Sequence, residues 1–159
     1  MLNVVVNSTP LISLHGIGKM DILSKMYSTV YIPYGVYEEA CVDGDISKDA
    51  LRSFSNFKIQ SIANEDAKKY FKTVLHKGEV EVMILANELK ADLCIIDDRL
   101  ARAYAKHLGL KITGTLGLLV KAKERGFLKA VVPCMDLLMQ NEIYISKLLY
   151  ENIKKLAAE

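Results

Sequence analysis

The sequence predicts one α/β domain built on a parallel sheet with helices on both faces. Short apolar runs, several of only three to five residues, alternate along the whole chain with helical patterns. The runs are rich in Val and Ile and nearly unbroken by polar residues, as expected of strands buried on both sides. No internal repeat, low-complexity tract or linker divides the 159 residues, a length that fits one domain. The expected organisation is a single domain over 1–159, with 143–159 as a C-terminal helical extension.

Leu2 to Val6 reads as the first strand, followed by Asn7-Ser8-Thr9-Pro10. Ser8 or Thr9 is the expected cap of a helix whose first position is Pro10, where a missing N–H costs nothing. Asp21 to Met26 is a further helical piece, Val30-Tyr31-Ile32 a second strand, and Val36 to Ala40 a helix. Glu38 and Glu39 are adjacent on that helix, about 100° apart, so at most one of them faces a common centre. Ala50 to Phe54 is a helical turn, Phe57 to Ile62 a weak third strand, and Asn64 the expected cap of a helix through Phe71 and Leu75.

Gly78 interrupts the pattern, and Glu79 opens a helix to Leu89 that packs through Val82, Met83, Ala86 and Leu89. A carboxylate in a first helical turn is favourable on its own account, so Glu79 has a structural reading beside a functional one. Glu81, two positions on, is expected to point away from it. Leu93 to Ile96 is a buried strand that stops at Asp97-Asp98, after which a helix runs to Leu108. Leu110 to Thr113 is a short strand, followed by Gly114-Thr115-Leu116-Gly117 and a helix from Leu118 to Lys123. Pro133 opens a helix through Met139, and Ile143 to Leu156 reads as a terminal amphipathic helix.

Composition narrows the function classes. About half the residues (51%) are apolar and 25% charged, which excludes a disordered chain. No apolar run is long enough to span a membrane, and the start lacks a basic leader, so a cytoplasmic location is expected. Cys41, Cys94 and Cys134 are widely spaced, and so are His15, His76 and His107; neither set has metal-ligand spacing. The net charge of +2 neither demands nor excludes nucleic acid. Basic residues from Arg99 to Lys129 form either a phosphate-binding region or a solvated face. Gly-Thr-Leu-Gly lacks the lysine of a phosphate-binding loop and the third glycine of a dinucleotide site. Thr115 still presents a hydroxyl near a helix N-terminus.

The acidic pair Asp97-Asp98 stands where a strand hands over to a helix, the edge at which open parallel sheets bind ligands. Adjacent carboxylates repel, and a divalent cation offsets the cost. The helix N-terminus or Arg99 and Arg102 would do so without a metal. Asn7, Glu38 or Glu39, Glu79 and Asp97-Asp98 all fall at comparable places, provided that the first and fourth strands are neighbours. Oxygen-only sites of this kind suit Mg2+ or Mn2+, which promote in-line phosphodiester hydrolysis.

Val4 to Ile12, Val30 to Pro33 with Val36 to Glu39, Gly78 to Glu81, Ile95 to Arg99 with Arg102, and Gly109 to Gly117 together resemble the PIN domain family. More narrowly they resemble its branch of predicted nucleic-acid-binding proteins known as a domain of unknown function. The resemblance spans roughly Leu2 to Tyr150. It implies a three-layer α/β/α sandwich and a Mg2+- or Mn2+-dependent ribonuclease, often the toxin of a toxin–antitoxin pair and often a homodimer. The expected partners are RNA and an antitoxin protein, with no membrane.

By that resemblance Glu39, Glu79, Asp97 and Asp98 are the catalytic acids, and with Asn7 they form the metal set. Thr115, Arg99 and Arg102 position substrate. Asn7 departs from the family's usual aspartate: its oxygen can bind a metal or water but brings no charge. A catalytically weak or inactive module that binds RNA or protein is therefore the alternative expectation.

Overall fold

The computed structural model describes residues 2–71 and 75–159. Five strands form one parallel sheet: β1 Asn3–Val6, β2 Thr29–Pro33, β3 Phe57–Gln60, β4 Leu93–Ile95 and β5 Ile112–Thr113. Nine helices flank it among the described residues: α1 Ser8–Gly16, α2 Asp21–Met26, α3 Tyr34–Val42, α4 Lys48–Arg52, α5 Lys77–Leu89, α6 Arg99–His107, α7 Thr115–Glu124, α8 Val132–Gln140 and α9 Lys147–Leu156. A 3-10 turn spans Glu65–Tyr70. The result is the three-layer α/β/α sandwich expected.

The strand order is β3-β2-β1-β4-β5, so β1 lies at the centre. Val4, Val5 and Val6 are all fully buried, which explains the absence of polar alternation in this strand. β1 pairs with β2 through Val4–Val30 and with β4 through Val5–Cys94 and Val6–Ile95. The chain first steps outward from β1 to β2 and β3, then crosses back to β4 on the other side. This reversal opens a cleft beyond the carboxyl ends of β1 and β4. Pairing continues into that edge, where the Asn7 N–H donates to the Ile95 carbonyl at 3.0 Å and the Ile96 N–H to that of Thr113 at 2.8 Å.

α5 carries an unbroken buried stretch from Gly78 to Ala86 rather than a single apolar stripe. It lies against β1, β2 and β4 on one side and packs on α3 and the 3-10 turn as well. Leu11 and Leu14 of α1, which packs on α3 and α7, are fully buried in the same core. By contrast α6 buries only Ala101 and Ala105, against the edge strand β5. Cys94 is buried in β4, as expected, and burial pushes its thiol up to about 12.

Several boundaries differ from expectation, each for a local reason. α1 begins at Ser8, not Pro10; Pro10 is the third helical residue, still inside the turn whose N–H groups have no helical partner. α7 begins at Thr115, three residues early, with the extended Gly114 as its N-cap. The Glu65–Tyr70 segment is 3-10 rather than α, and the Asn64 side chain does not cap it. The rest of the helix expected through Leu75 falls partly on 72–74, outside the described residues.

The terminal helix starts at Lys147, not Ile143. Glu142 takes a left-handed φ of 64°, which turns the chain after α8, and Ser146 caps α9 by accepting the Leu149 N–H at 3.1 Å. Ile143 to Ser146 is non-helical. Among the described residues, no helix is long and apolar enough to cross a membrane.

Candidate active site

Asn7 follows β1 at the centre of the carboxyl edge and is 2% exposed. Its backbone serves as the N-cap of α1 without a side-chain cap bond. Its Oδ1 is buried and accepts no hydrogen bond. An orphaned buried acceptor costs about 1–3 kcal/mol, so its retention calls for a reason.

The next residue, Ser8, was expected to cap a helix, but instead its hydroxyl donates to Glu39 Oε2 at 2.7 Å. The other oxygen of Glu39 accepts the Gly78 N–H at 3.1 Å. Glu39 thus ties α3 to the starts of both α1 and α5. Glu38, one helical step away, is exposed and faces Lys77 at 3.4 Å. Of the adjacent pair, only Glu39 turns inward.

Gly78 is needed for this arrangement. A Cβ there would stand 2.7 Å from Glu39 Oε1, displacing the carboxylate from its donor. The same device recurs in reverse. A Cβ on Gly35, in the first turn of α3, would fall on Glu81 Oε2. Each helix therefore offers a glycine to a carboxylate of the other. Glu81 does point away from Glu79, yet it is 3% exposed because α3 covers that side of α5. Its Oε2 has no hydrogen-bond partner. Sequence reasoning missed this buried acid, and Gly35 so early in a helix is the one local signal that marks it.

Glu79 stands in the first turn of α5 and accepts the His76 N–H through Oε2 at 3.0 Å. Burial pushes its carboxyl above the usual range. The His76 N–H opposes this, while the charges of Asp98 and Glu39 push it further up. The structure therefore brings Glu79 within electrostatic reach of both acids.

The pair after β4 divides its tasks. Asp97 turns toward α7, where its Oδ1 accepts the Thr115 N–H at 2.7 Å and its Oδ2 the Thr115 hydroxyl at 2.6 Å. Asp98 is the N-cap of α6 and accepts the Ala101 N–H at 2.9 Å. Gly114 again makes room, since a Cβ there would stand 2.7 Å from Asp97 Oδ1 and 2.9 Å from Arg102. Arg102 donates to the Ile96 carbonyl at 2.9 Å, pinning the corner from which Asp97 projects. Arg99 is exposed on the first turn of α6. Farther along the basic stretch, Lys121 pairs with Glu124 and Lys123 with Glu159, so these two do not form an unpaired phosphate track.

Among the described residues, no three His, Cys, Asp or Glu side chains are grouped to hold a metal. What the edge does carry is a mixed set of oxygen donors. It comprises an unpartnered buried amide oxygen, a carboxyl pushed up first by burial and then by two neighbouring acids, and two carboxylates oriented by protein donors. Each oriented oxygen keeps a second lone pair. This donor chemistry fits a hard divalent cation and no soft one.

Comparison with known proteins agrees with the fold. A PilT N-terminus domain protein from the hyperthermophilic archaeon Sulfolobus solfataricus P2 has a similar fold, with a TM-score of 0.59 and 20% identity. The match covers 76% of this chain and 93% of that one. No curated protein matches the sequence. The sequence pattern of the PIN domain family DUF3368 matches residues 3–159, and the chain belongs to that family.

Proposed function

We propose that the protein is a divalent-metal-dependent endoribonuclease that hydrolyses RNA phosphodiester bonds. PIN domains are in general nuclease-like and typically bind a divalent metal. The observation that carries the reading is the buried, unpartnered Asn7 Oδ1 at the β1–β4 reversal, on the edge shared with Glu39, Glu79 and Asp97. Asn7, Glu39, Glu79 and Asp97 are the proposed ligands of Mg2+ or Mn2+, direct or through water. Asp98 adds negative charge from the rim. Such an ion supplies charge at a phosphoryl oxygen and acidifies a bound water.

The protein's own part is orientation. Ser8 and Gly78 fix both oxygens of Glu39, the His76 N–H fixes one oxygen of Glu79, and Thr115 fixes both of Asp97. With its hydroxyl committed to Asp97, Thr115 acts on substrate through that carboxylate. Arg102 holds the corner, and the exposed Arg99 is the proposed phosphate contact. A toxin role with an antitoxin partner, and a homodimeric state, belong to the same proposal.

A second reading is a catalytically weak PIN module that binds RNA or protein. It is favoured by the neutral side chain at Asn7 and by the hydrogen bonds already made to Glu39 and Asp97. One experiment separates the two. A pool of structured and single-stranded RNA is incubated with Mn2+ or Mg2+ and the native chain, Asp97→Asn, Glu79→Gln or Asn7→Asp. Cutting by the native chain that chelator, Asp97→Asn and Glu79→Gln each abolish supports the nuclease. A silent native chain whose Asn7→Asp variant cuts supports the second reading. Silence from every variant ends the enzyme assignment for RNA.

A further inference from the structure

A cavity of about 230 Å3 adjoins Asp97 and Thr115, with Thr9 and Ser13 of α1 on one wall and Tyr144 and Leu149 on another. Pockets that enclose a drug-sized ligand run to roughly 300–1,000 Å3, so this one holds a single ring system. Tyr144 is 88% exposed although both of its neighbours are at least partly buried. Ile145 is buried, Ile143 is half-buried, and the Ile143 N–H donates to the Leu138 carbonyl at 3.1 Å. In the non-helical stretch between α8 and α9, its two neighbours face inward and Tyr144 is left outside. An exposed aromatic side chain thus stands at the rim of a cavity whose lining also contains a proposed metal ligand.

We propose that this cavity is a subsite for one unpaired nucleobase of the substrate strand, with Tyr144 as its stacking surface. The proposal rests on the nuclease reading, because it is the shared wall at Asp97 that makes a nucleotide the fitting occupant. Hydroxyls of Thr9 and Ser13 supply polar partners, and Leu149 supplies an apolar wall. This is the mixture that single-stranded nucleic-acid sites use: aromatic stacking with few sequence-reading bonds. A second cavity, about 530 Å3, shares Thr9, Ser13 and Ile143 with the first and continues along α1 to His15 and Asn141. The two together give the strand a path away from the acids. For a base inside a duplex, entry costs a few kcal/mol of unstacking and unpairing, so the site favours single-stranded RNA.

The test measures binding in the Glu79→Gln background with Mg2+, which leaves the cavity walls intact and is expected to stop cutting. The probes are a fluorescently labelled single-stranded RNA of mixed sequence and the same strand annealed to its complement. Anisotropy is expected to show tighter binding of the single strand. Tyr144→Ala is expected to weaken that binding about tenfold or more, and Tyr144→Phe to restore it, with duplex binding unchanged by either.

Equal binding by Tyr144→Ala, or an equal loss in Tyr144→Phe, would overturn the proposal. So would a change of sedimentation in Tyr144→Ala, which would mark a protein interface instead. Cleavage by the native chain is scored separately. A chain that binds single strands through Tyr144 but never cuts keeps the subsite and loses the nuclease. A chain that cuts with Tyr144→Ala at native KM and kcat keeps the nuclease and loses the subsite.

Discussion

Asn7 and Glu79 each carry an electrostatic cost that the proposed cation would relieve. The first has an orphaned buried oxygen and the second a carboxyl pushed up by burial, by Asp98 and by Glu39. A ligand that binds only the folded state raises stability by RT ln(1 + [L]/Kd), about 2.7 kcal/mol at a hundredfold excess over Kd. Mn2+ is therefore expected to raise the melting temperature of the native chain. Asn7→Asp should melt lower than native in chelator, because it adds a buried charge, and should gain more from Mn2+. Equal Mn2+ shifts for the two chains would remove Asn7 from the ligand set.

The pH dependence of Glu79 has a definite sign. Its folded pKa lies above the ordinary 4.5, so the folded state binds that proton more tightly than the unfolded chain does. The contribution to stability is fullest below about 4.5 and is lost as pH rises through the folded value. Glutamine keeps an oxygen for the His76 N–H but carries no charge. In chelator, Glu79→Gln should therefore gain on the native chain in melting temperature as pH rises from about 4 toward 7. A gap that is flat or reversed would show that Glu79 is not strained by its neighbours.

At the level of elements, α3 and α5 are registered by two carboxylate–glycine contacts, Glu39 on Gly78 and Glu81 on Gly35. Gly78→Ala should gain up to about 1 kcal/mol of helix propensity. It should also lose a charged hydrogen bond worth roughly 1.5–3 kcal/mol, for a net destabilisation. Gly35→Ala overpacks a buried acid and should cost about 1–3 kcal/mol. Glu38→Ala, which removes only the exposed pair with Lys77, should stay within about 0.5 kcal/mol. Urea unfolding distinguishes them; if Gly35→Ala is as mild as Glu38→Ala, the interlock is not what sets the helix spacing.

This level also shows what the sequence could and could not reveal. Helical periodicity admits only one of Glu38 and Glu39 to the centre, and only Glu39 enters. The choice between Asp97 and Asp98 was out of reach, because it is made by Thr115, 18 residues on along the chain. Ser8 read as a cap because its local context allows one, while its actual acceptor lies 31 residues away. Glu81 was expected only to point away from Glu79; its burial was out of reach for the same reason, because the helix that covers it is contributed from elsewhere.

Across the whole molecule, the site depends on the order β3-β2-β1-β4-β5, which makes β1 and β4 neighbours. Short apolar strands alternating with helices were enough to foresee a parallel sheet, but strand order is set by contacts between distant segments. The chain end shows the same dependence. Ile145, Ile153 and Ala157 are buried, and α9 packs on α7. Glu159 accepts the Val131 N–H at 2.7 Å and the Val132 N–H at 3.2 Å, and it pairs with Lys123 at 3.1 Å. The Tyr150 hydroxyl donates to Asp136 at 2.8 Å.

From these contacts we propose that 143–159, expected as a C-terminal helical extension, unfolds together with the fold that carries Asp97 and Thr115. Burying an Ile side chain contributes about 1.5–3 kcal/mol, so deleting the segment removes several kcal/mol through Ile145 and Ile153 alone. That is a large part of the 5–15 kcal/mol that holds a typical domain together. The shortened chain should unfold at much lower urea than the native one, with a broadened transition, and should bind Mn2+ more weakly because α7 loses its cover. Glu159→Gln, which weakens only the ion pair and its two N–H bonds, should move the midpoint far less. A shortened chain with the native midpoint and native Mn2+ affinity would make the segment a separable extension, and the wall that holds Tyr144 would then be a mobile one.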